Sequence, residues 1–493
     1  MSEASLESKK MRRIAVDPVS RVEGHGKITL LMDEENHIHE ARLHIVEFRG
    51  FEKFIQGRPY REVPYFVQRL CGICPVSHHL AAAKAVDQLV GVDDLTPTSL
   101  KLRQLLHFGQ TMQSHALHFF HLSSPDLLFG FGSDMKHRNI VGVIEDYPEI
   151  AIQGVKIRKY GQQVIAAIAG KRIHGAATVP GGMNKPLTIN ERDALLVDIA
   201  DVIRWSQDAV ALNETIHCSD QEHRDFGTLR TPFMSLVDPS GNLEMYHGGL
   251  RVRMADGAAL VDQFDYRGYT ELVREEIRPW SYMKFPYLQS LGKEQGWYRV
   301  GPLARVNNCD AITTPLAESA RQRFKSLGGG AFVQDTLAYH WARMIEVLHC
   351  AESIERLLHD PEILGTDLQA PLGEKRSEGI GVIEAPRGTL FHHYKIDEDG
   401  LIEKANLIVS TTSNNQAMNE SVRTVANQYI EGNEVTEGLL NHLEVAVRAY
   451  DPCLSCATHA LGKMPLEVEL VGIDGQVIDA VRKGSDGSFD RIG

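Results

Sequence analysis

The sequence predicts an α+β fold, predominantly helical, with a bundle of long helices at its core and β-hairpins at its periphery. Three observations predict it. Segments 76–91, 99–122 and 336–358 carry apolar residues at helical spacing over lengths that strands do not reach. Short β-type runs come in pairs around polar turns. No internal repeat at fixed period and no low-complexity linker divides the chain, which argues for one large unit.

The elements follow in order. Residues 27–48 hold two β-type runs around Asp33-Glu34-Glu35-Asn36, the pattern of a hairpin. Residues 76–91 (VSHHLAAAKAVDQLVG) are Ala-rich, and Pro75 suits the first turn of a helix. Segments 99–122 and 336–358 have few polar gaps on one face, so both should be buried over a wide face. Further hairpin signals fall at 234–252, around Asp238-Pro239-Ser240-Gly241, and at 389–409, around Asp397-Glu398-Asp399-Gly400. The Gly/Pro-rich stretches 180–186 and 366–388 are short, and Gly328-Gly329-Gly330 and Gly379-Ile380-Gly381 read as weak turn signals. In 460–493, LEVELV and QVIDAV flank GIDG as a last hairpin signal, ahead of a Gly/Ser/Asp-rich tail.

With 493 residues, 43% of them hydrophobic and 24% charged, the chain can bury a sizeable core. Its formal net charge of −13 comes from acidic residues that are spread rather than blocked, so a nucleic-acid partner is not expected. The opening MSEASLESKKMRR has no apolar segment of secretory type. No run approaches the roughly 18 apolar residues of a membrane helix. The expectation is a cytoplasmic protein, although export on a partner's signal would leave no trace in this chain.

The seven cysteines are Cys71, Cys74, Cys218, Cys309, Cys350, Cys453 and Cys456. An odd number in a large chain without an export signal speaks against a disulfide framework. Cys218, Cys309 and Cys350 stand alone and read as small hydrophobes. The other four form two CxxC pairs, Cys71-Gly72-Ile73-Cys74 and Cys453-Leu454-Ser455-Cys456, and CxxC directs two soft sulfurs at one metal. Pro75 after Cys74 suggests a helix start, which lowers thiol pKa. From spacing alone a structural four-cysteine zinc site stands level with a redox metal. The long separation between Cys74 and Cys453 is unlike a zinc ribbon, and neither pair sits in the βαβ pattern of a thioredoxin. A ferredoxin-type run of close cysteines is absent.

The flanking residues carry a specific resemblance. Arg69-Leu70-Cys71-Gly72-Ile73-Cys74-Pro75-Val76-Ser77-His78 and Asp451-Pro452-Cys453-Leu454-Ser455-Cys456-Ala457-Thr458-His459 resemble the two signature motifs of nickel–iron hydrogenase large subunits, R-x-C-G-x-C-x-x-x-H and D-P-C-x-x-C-x-x-H. Arg21-Val22-Glu23-Gly24-His25, Arg49-Gly50-Phe51-Glu52, the run from His115 through His118 and His121 to Asp126, and Ala385-Pro386-Arg387-Gly388 resemble four further segments of that family. The likeness spans residues 13–460. The wording CGICPVSHH, FFHLSSPDLLFG and SYMKFPYL looks most like the cytoplasmic, NAD-reducing bidirectional branch.

The resemblance implies reversible, heterolytic cleavage of H2 at a nickel–iron centre. Cys71, Cys74, Cys453 and Cys456 would ligate nickel, with Cys74 and Cys456 bridging to an iron that carries CO and cyanide. Arg387 would hang over the metals, oriented by Asp126 and Asp451 through charge-assisted hydrogen bonds. Either Arg387 or the Cys453 thiolate would take the proton, and Glu23, a buried carboxyl, would relay it outward. Glu52, His459 and the backbone carbonyl of Leu407 would bind a magnesium-type ion, although imidazole is an unusual ligand for so hard an ion. His78 would hydrogen-bond a bridging sulfur. His115, His118 and His121 suit a packed helix face better than ligation.

The chain has no GxxxxGK[ST] loop, no strand–GxGxxG–helix unit and no further cysteines for an electron relay. The resemblance therefore implies an iron–sulfur small subunit to take the electrons. It also implies a diaphorase with FMN that reduces NAD⁺, so the nicotinamide would not touch this chain. Residues 1–459 read as a single catalytic domain. Segment 460–493 reads as an extension that a maturation endopeptidase removes between His459 and Ala460 after nickel insertion, having held the Cys453–Cys456 segment open. A sulfur-reducing, NADP-linked or deazaflavin-linked hydrogenase remains an alternative. So does the quinone-binding relative in respiratory NADH dehydrogenases, which characteristically lacks the four cysteines.

Overall fold

A computed structural model describes residues 12–32, 37–429, 437–460, 466–471, 477–483 and 489–491. Strands β1 (Arg12–Val16), β2 (Gly26–Met32) and β3 (Ile38–Ile45) form an antiparallel sheet, with Leu30 opposite Ala41. The turn expected at 33–36 lies outside the described residues. Helix α1 (Pro75–Leu89) starts at the expected proline, and α2 (Pro97–Leu117) is capped by Thr96, whose hydroxyl accepts from the Ser99 amide. Beyond Leu117 the expected helix continues as a π-helical turn, His118–Ser123. Two long helices that the sequence reading did not single out follow, α3 (Pro148–Ala169) and α4 (Ile199–Ser219).

Strands β4 (Phe233–Val237), β5 (Gly249–Arg253) and β6 (Ala259–Phe264) form a second antiparallel sheet. β4 pairs with β5 as expected, and Asp238–Gly241 forms the expected tight turn, the Gly241 amide donating to the Asp238 carbonyl (2.8 Å), but this turn only opens a longer connection that runs to Gly248. Helix α5 (Ala338–His359) crosses the core, packed on α2 and α4. Strands β7 (Glu378–Ala385), β8 (Gly388–Ile396) and β9 (Ile402–Ile408) make a third antiparallel sheet, whose first hairpin carries Arg387 at its tip. Helices α6 (Asn415–Tyr429) and α7 (Glu437–Arg448) lead into the second cysteine pair. Strands β10 (Leu466–Val471), β11 (Val477–Lys483) and β12 (Phe489–Arg491) form a terminal sheet where the last hairpin was expected. Among the described residues no helix is long and apolar enough to cross a membrane.

Two features position the site. Gly379 and Gly381 are strand residues of β7, not a turn as expected. A Cβ on Gly379 would lie 2.2 Å from the Ala85 carbonyl, and one on Gly381 would lie 2.0 Å from that of Ala81. Only bare backbone lets β7 lie this close along α1. The second feature is a buried charge cluster. Arg305 binds Glu346 of α5 through two bonds of 2.6 Å and Glu384 of β7 at 2.8 Å. Burial alone would raise the Glu346 pKa, but Arg305 and His115 pull it down to about 2. The same guanidinium donates to the carbonyls of Ala385 and Pro386, so α5 and the end of β7 are clamped together.

Candidate metal centre

Each cysteine pair is presented by a local turn. Cys71 follows a 3-10 turn, and its sulfur accepts from the amides of Ile73 (3.2 Å) and Cys74 (3.3 Å). Cys74 is the residue that caps α1. In the second pair Cys456 lies on the 3-10 turn Ser455–Ala457 and Cys453 just before it, and the segment is pinned from two sides. The Cys453 amide donates to Thr411 Oγ1 (3.0 Å), and the Leu454 amide donates to the Glu23 carbonyl (3.0 Å).

The four sulfurs, 382 residues apart in sequence within each contacting couple, gather at one buried point with every ligand atom within 4.8 Å of the others. Cys71 Sγ lies 3.2 Å from Cys453 Sγ, and Cys74 Sγ lies 3.8 Å from Cys456 Sγ. A tetrahedral site with metal–sulfur bonds of about 2.3 Å sets its sulfurs about 3.8 Å apart, so one ion fits this donor set. Hydrogen bonds from Cys453, Cys456 and Cys71, with His78 adding its own, hold the Cys74 thiol well below its ordinary pKa. Burial pushes Cys453 and Cys456 well above theirs. Cys453 and Cys456 therefore give up their protons readily only to a cation.

Arg387 stands over this cluster because Ala385 pairs with Gly388, leaving Pro386 and Arg387 as a two-residue hairpin tip. Gly388 has φ +129°, and a Cβ there would fall 2.3 Å from Val300 Cγ2, so this corner demands glycine. The guanidinium donates to the backbone carbonyl and to Oδ1 of Asp451 (2.9 Å for the latter), and to Ser114 Oγ at 3.3 Å. Burial opposes its charge, but Asp451 and the sulfurs of Cys453, Cys74 and Cys71 hold its pKa well above the ordinary value. Burial in turn lifts Asp451 to about 6 against the pull of Arg387 and Arg343. A small enclosed cavity, with room for roughly one water molecule, is lined by Cys74, Cys453, Arg387, Ser410 and Thr411.

Other expectations meet a different structure. Asp126 does not reach Arg387. Its carboxylate binds Arg21 (2.5 Å), Arg448 and Arg138 (3.5 Å), because the π-helical turn carries it towards α7 and the N-terminal segment. Glu23 is half-buried rather than buried, with Oε2 accepting from the Ser455 amide at 3.1 Å. Glu52 is buried and faces Lys284, whose ammonium lies 3.0 Å from Oε1. Leu407 meets that same oxygen through its amide N–H (2.9 Å), not through its carbonyl. His459 donates its Nε2–H to the Cys456 carbonyl (2.7 Å), while its buried Nδ1 has no partner among the described residues. His115 binds Glu346, His118 binds the Arg448 carbonyl, and neither enters the sulfur cluster. Segment 453–459 is closed over the site with the terminal sheet attached, so the extension does not hold it open here.

Sequence reasoning missed Thr411, Ser114, His174 and Arg305. Each is a lone residue whose part comes only from tertiary approach, as with His174, whose Nε2 bonds the Cys71 carbonyl at 3.1 Å. No local pattern announces them.

Fold and site together define a metalloprotein built around one buried four-thiolate centre. Residues 49–128 and 256–459 match the nickel-dependent hydrogenase family, and residues 13–48 match a HoxL-like family. The chain is 48% identical over 486 residues to the NAD-reducing hydrogenase HoxS subunit beta of Cupriavidus necator, covering 95% of this chain and 99% of that protein. It is 40% identical over 469 residues to one subunit of the F420-non-reducing hydrogenase of Methanothermobacter marburgensis, covering 92% and 95%. Among solved structures, an NAD+-reducing [NiFe]-hydrogenase in the H2-reduced state is 55% identical with a TM-score of 0.89, over 92% of this chain and 100% of that one. The [NiFeSe] hydrogenase of Desulfovibrio vulgaris Hildenborough, 23% identical with a TM-score of 0.74 over 91% and 100%, shares the fold. This chain belongs to the nickel-dependent hydrogenase family. Membership sets aside the structural zinc site that spacing left open.

Proposed function

We propose that this chain is the H2-cleaving large subunit of a complex that reduces NAD⁺, with nickel on Cys71, Cys74, Cys453 and Cys456. Iron carrying CO and cyanide would share Cys74 and Cys456. Bound to these four sulfurs, the metals would supply the Lewis acidity that polarises the H–H bond. What this chain adds is the fate of the proton. Arg387 is held charged by Asp451 and the sulfurs, and a charged guanidinium has no lone pair to offer. The Cys453 thiolate, which lines the same small cavity, is the better proton acceptor. Arg387 then orients the reacting molecule and offsets thiolate charge. Glu23 adjoins Cys453 through a backbone bridge and lies half-exposed, which suits a carboxylate that passes the proton outward.

A magnesium ion between Glu52 and His459 is part of this reading. The orphaned Nδ1 of His459 favours an absent ligand, and Lys284 would have to turn from Glu52 towards Glu275, now 3.5 Å away. Electrons would leave where the Cys71–Cys74 turn meets the surface at exposed Gly72. Arg49 links Arg69 there to a rim that includes exposed Phe48 and Phe54. An iron–sulfur small subunit fits that face, with a flavin-binding diaphorase beyond it. A maturation endopeptidase removing 460–493, and a cytoplasmic location, complete the proposal.

The observation that carries the reading is the convergence of both cysteine pairs beneath Arg387. Quantifying Ni, Fe and Mg in the purified complex tests it: nickel and iron together are expected, and zinc alone would overturn it.

A further inference from the structure

A file of three buried side chains leads away from the small cavity that Cys74 lines. His78 lies one helical turn beyond Cys74 on α1, and the two side chains line the same small cavity, where the imidazole helps to lower the Cys74 thiol pKa. Its Nδ1 lies 3.1 Å from Nε2 of His392 on β8. Two residues along, and therefore on the same face of the strand, the Tyr394 hydroxyl lies 2.5 Å from His392 Nδ1. All three residues are buried.

We infer that Tyr394 and His392 are positioning residues for the metal centre, fixing the tautomer of His78 so that it presents an N–H to the Cys74 sulfur.

The argument is a count of donors. The Tyr394 hydroxyl has one proton and, among the described residues, one hydrogen-bond partner, His392 Nδ1. Were Tyr394 to accept instead, its own O–H would be buried and unpaired, at a cost of about 1–3 kcal/mol. Tyr394 therefore donates. Burial keeps His392 neutral, so its single proton sits on Nε2 and is donated to His78 Nδ1. His78, accepting at Nδ1, carries its proton on Nε2, the nitrogen left to face the sulfur. A metal-bound thiolate has no proton and can only accept, so the chemistry at that end demands the same direction. Every bond in the file points one way, from phenol to sulfur. An N–H bonded to a thiolate draws electron density from it, which weakens its donation to the metal and raises the metal's potential.

The identity of the metal rests on the proposed function; the direction of the file does not. Neutron diffraction from the deuterated holoprotein reads the file directly. Deuterium is expected on Tyr394 Oη, His392 Nε2 and His78 Nε2, and deuterium on His78 Nδ1 would overturn the inference whichever metal is bound. In nickel-loaded protein the midpoint potential should fall in Tyr394→Phe, which removes one oxygen, and in His392→Leu. It should hold in His392→Gln, whose amide N–H can take the place of Nε2. Nickel content should stay at the wild-type level in Tyr394→Phe, and an unchanged potential in that variant would refute the positioning role. Should His392→Leu fail to fold, Tyr394→Phe against His392→Gln decides. Zinc in place of nickel in the wild-type protein would sink the proposed function and leave the proton positions to decide the inference.

Discussion

At the scale of single residues, the site separates groups that hold a metal from groups that hold charge around it. Cys453 belongs to both, because it contacts Cys71 Sγ at 3.2 Å and lines the small cavity beneath Arg387. Cys453→Ser replaces a soft thiolate by a hard hydroxyl that a nickel site disfavours. H2 turnover should drop at least ~100-fold in that variant, a loss in line with disturbed metal ligation, and full turnover in the assayed complex would contradict the role. Arg387→Lys keeps a positive charge but loses the fork that grips both the carbonyl and the carboxylate of Asp451. Turnover should fall roughly 100-fold, the scale of losing one oriented donor, with nickel and iron content unchanged; parallel loss of metal would assign Arg387 to structure instead. The cysteines and Arg387 were legible because their motifs are local. The partner of Arg387 was half-legible: Asp451 sits in the same motif as Cys453, whereas Asp126 is drawn off by Arg21, Arg448 and Arg138, and only tertiary approach reveals that.

At the scale of elements, the cysteine-bearing turns are held by strand and helix packing that the sequence expressed unevenly. Helical spacing announced α1, α2 and α5, and paired alternation announced β8 with β9. β7 was hidden because its glycines resemble turn signals, yet they serve its contact with α1, the helix that Cys74 caps. The π-helical turn at His118–Ser123 was hidden as well, since one extra residue per turn leaves little mark on apolar spacing. Arg305 is the clamp between these elements, neutralising Glu346 and Glu384 while bonding the carbonyls of Ala385 and Pro386. Arg305→Leu strands two buried carboxylates. It should destabilise the protein by about 3–5 kcal/mol, the usual cost of breaking a buried ion pair from one side, read as a lowered midpoint in denaturant. A loss below about 1 kcal/mol would mean that the cluster relaxes without its cation.

At the scale of the whole molecule, a site whose sulfurs come from two pairs 382 residues apart in sequence must fold before it can bind metal, which ties the site to global stability. That stability should be acid-sensitive. Burial, the dominant cause in each case, lowers His79, His107, His115 and His349 to about 4 in the fold, against about 6.5 in the unfolded chain. Between those values the unfolded state binds more protons, so stability present above about pH 6.5 is lost as pH falls towards about 4. Each histidine contributes up to about 1.4 kcal/mol per pH unit to that slope. Thermal midpoints measured from pH 7 to pH 5 should fall steadily, and a flat profile would show that these imidazoles are charged in the fold. The C-terminal extension obeys a separate constraint at this scale. The resemblance suggested that it props the second cysteine pair open, but the pair is closed with the extension in place, and the His459–Ala460 bond is itself sealed, each residue being 1% exposed. Ala460 donates its amide to the Tyr282 carbonyl and His459 bonds the Cys456 carbonyl, so no peptidase can seat this bond without first drawing residues 456–460 out of the protein. Cleavage should therefore proceed through an opened form. Added protease should spare the bond in the folded full-length chain, while the intact mass of this chain in active enzyme should end at His459. Active enzyme that still carries 460–493 would show that closure, and not cleavage, completes the site.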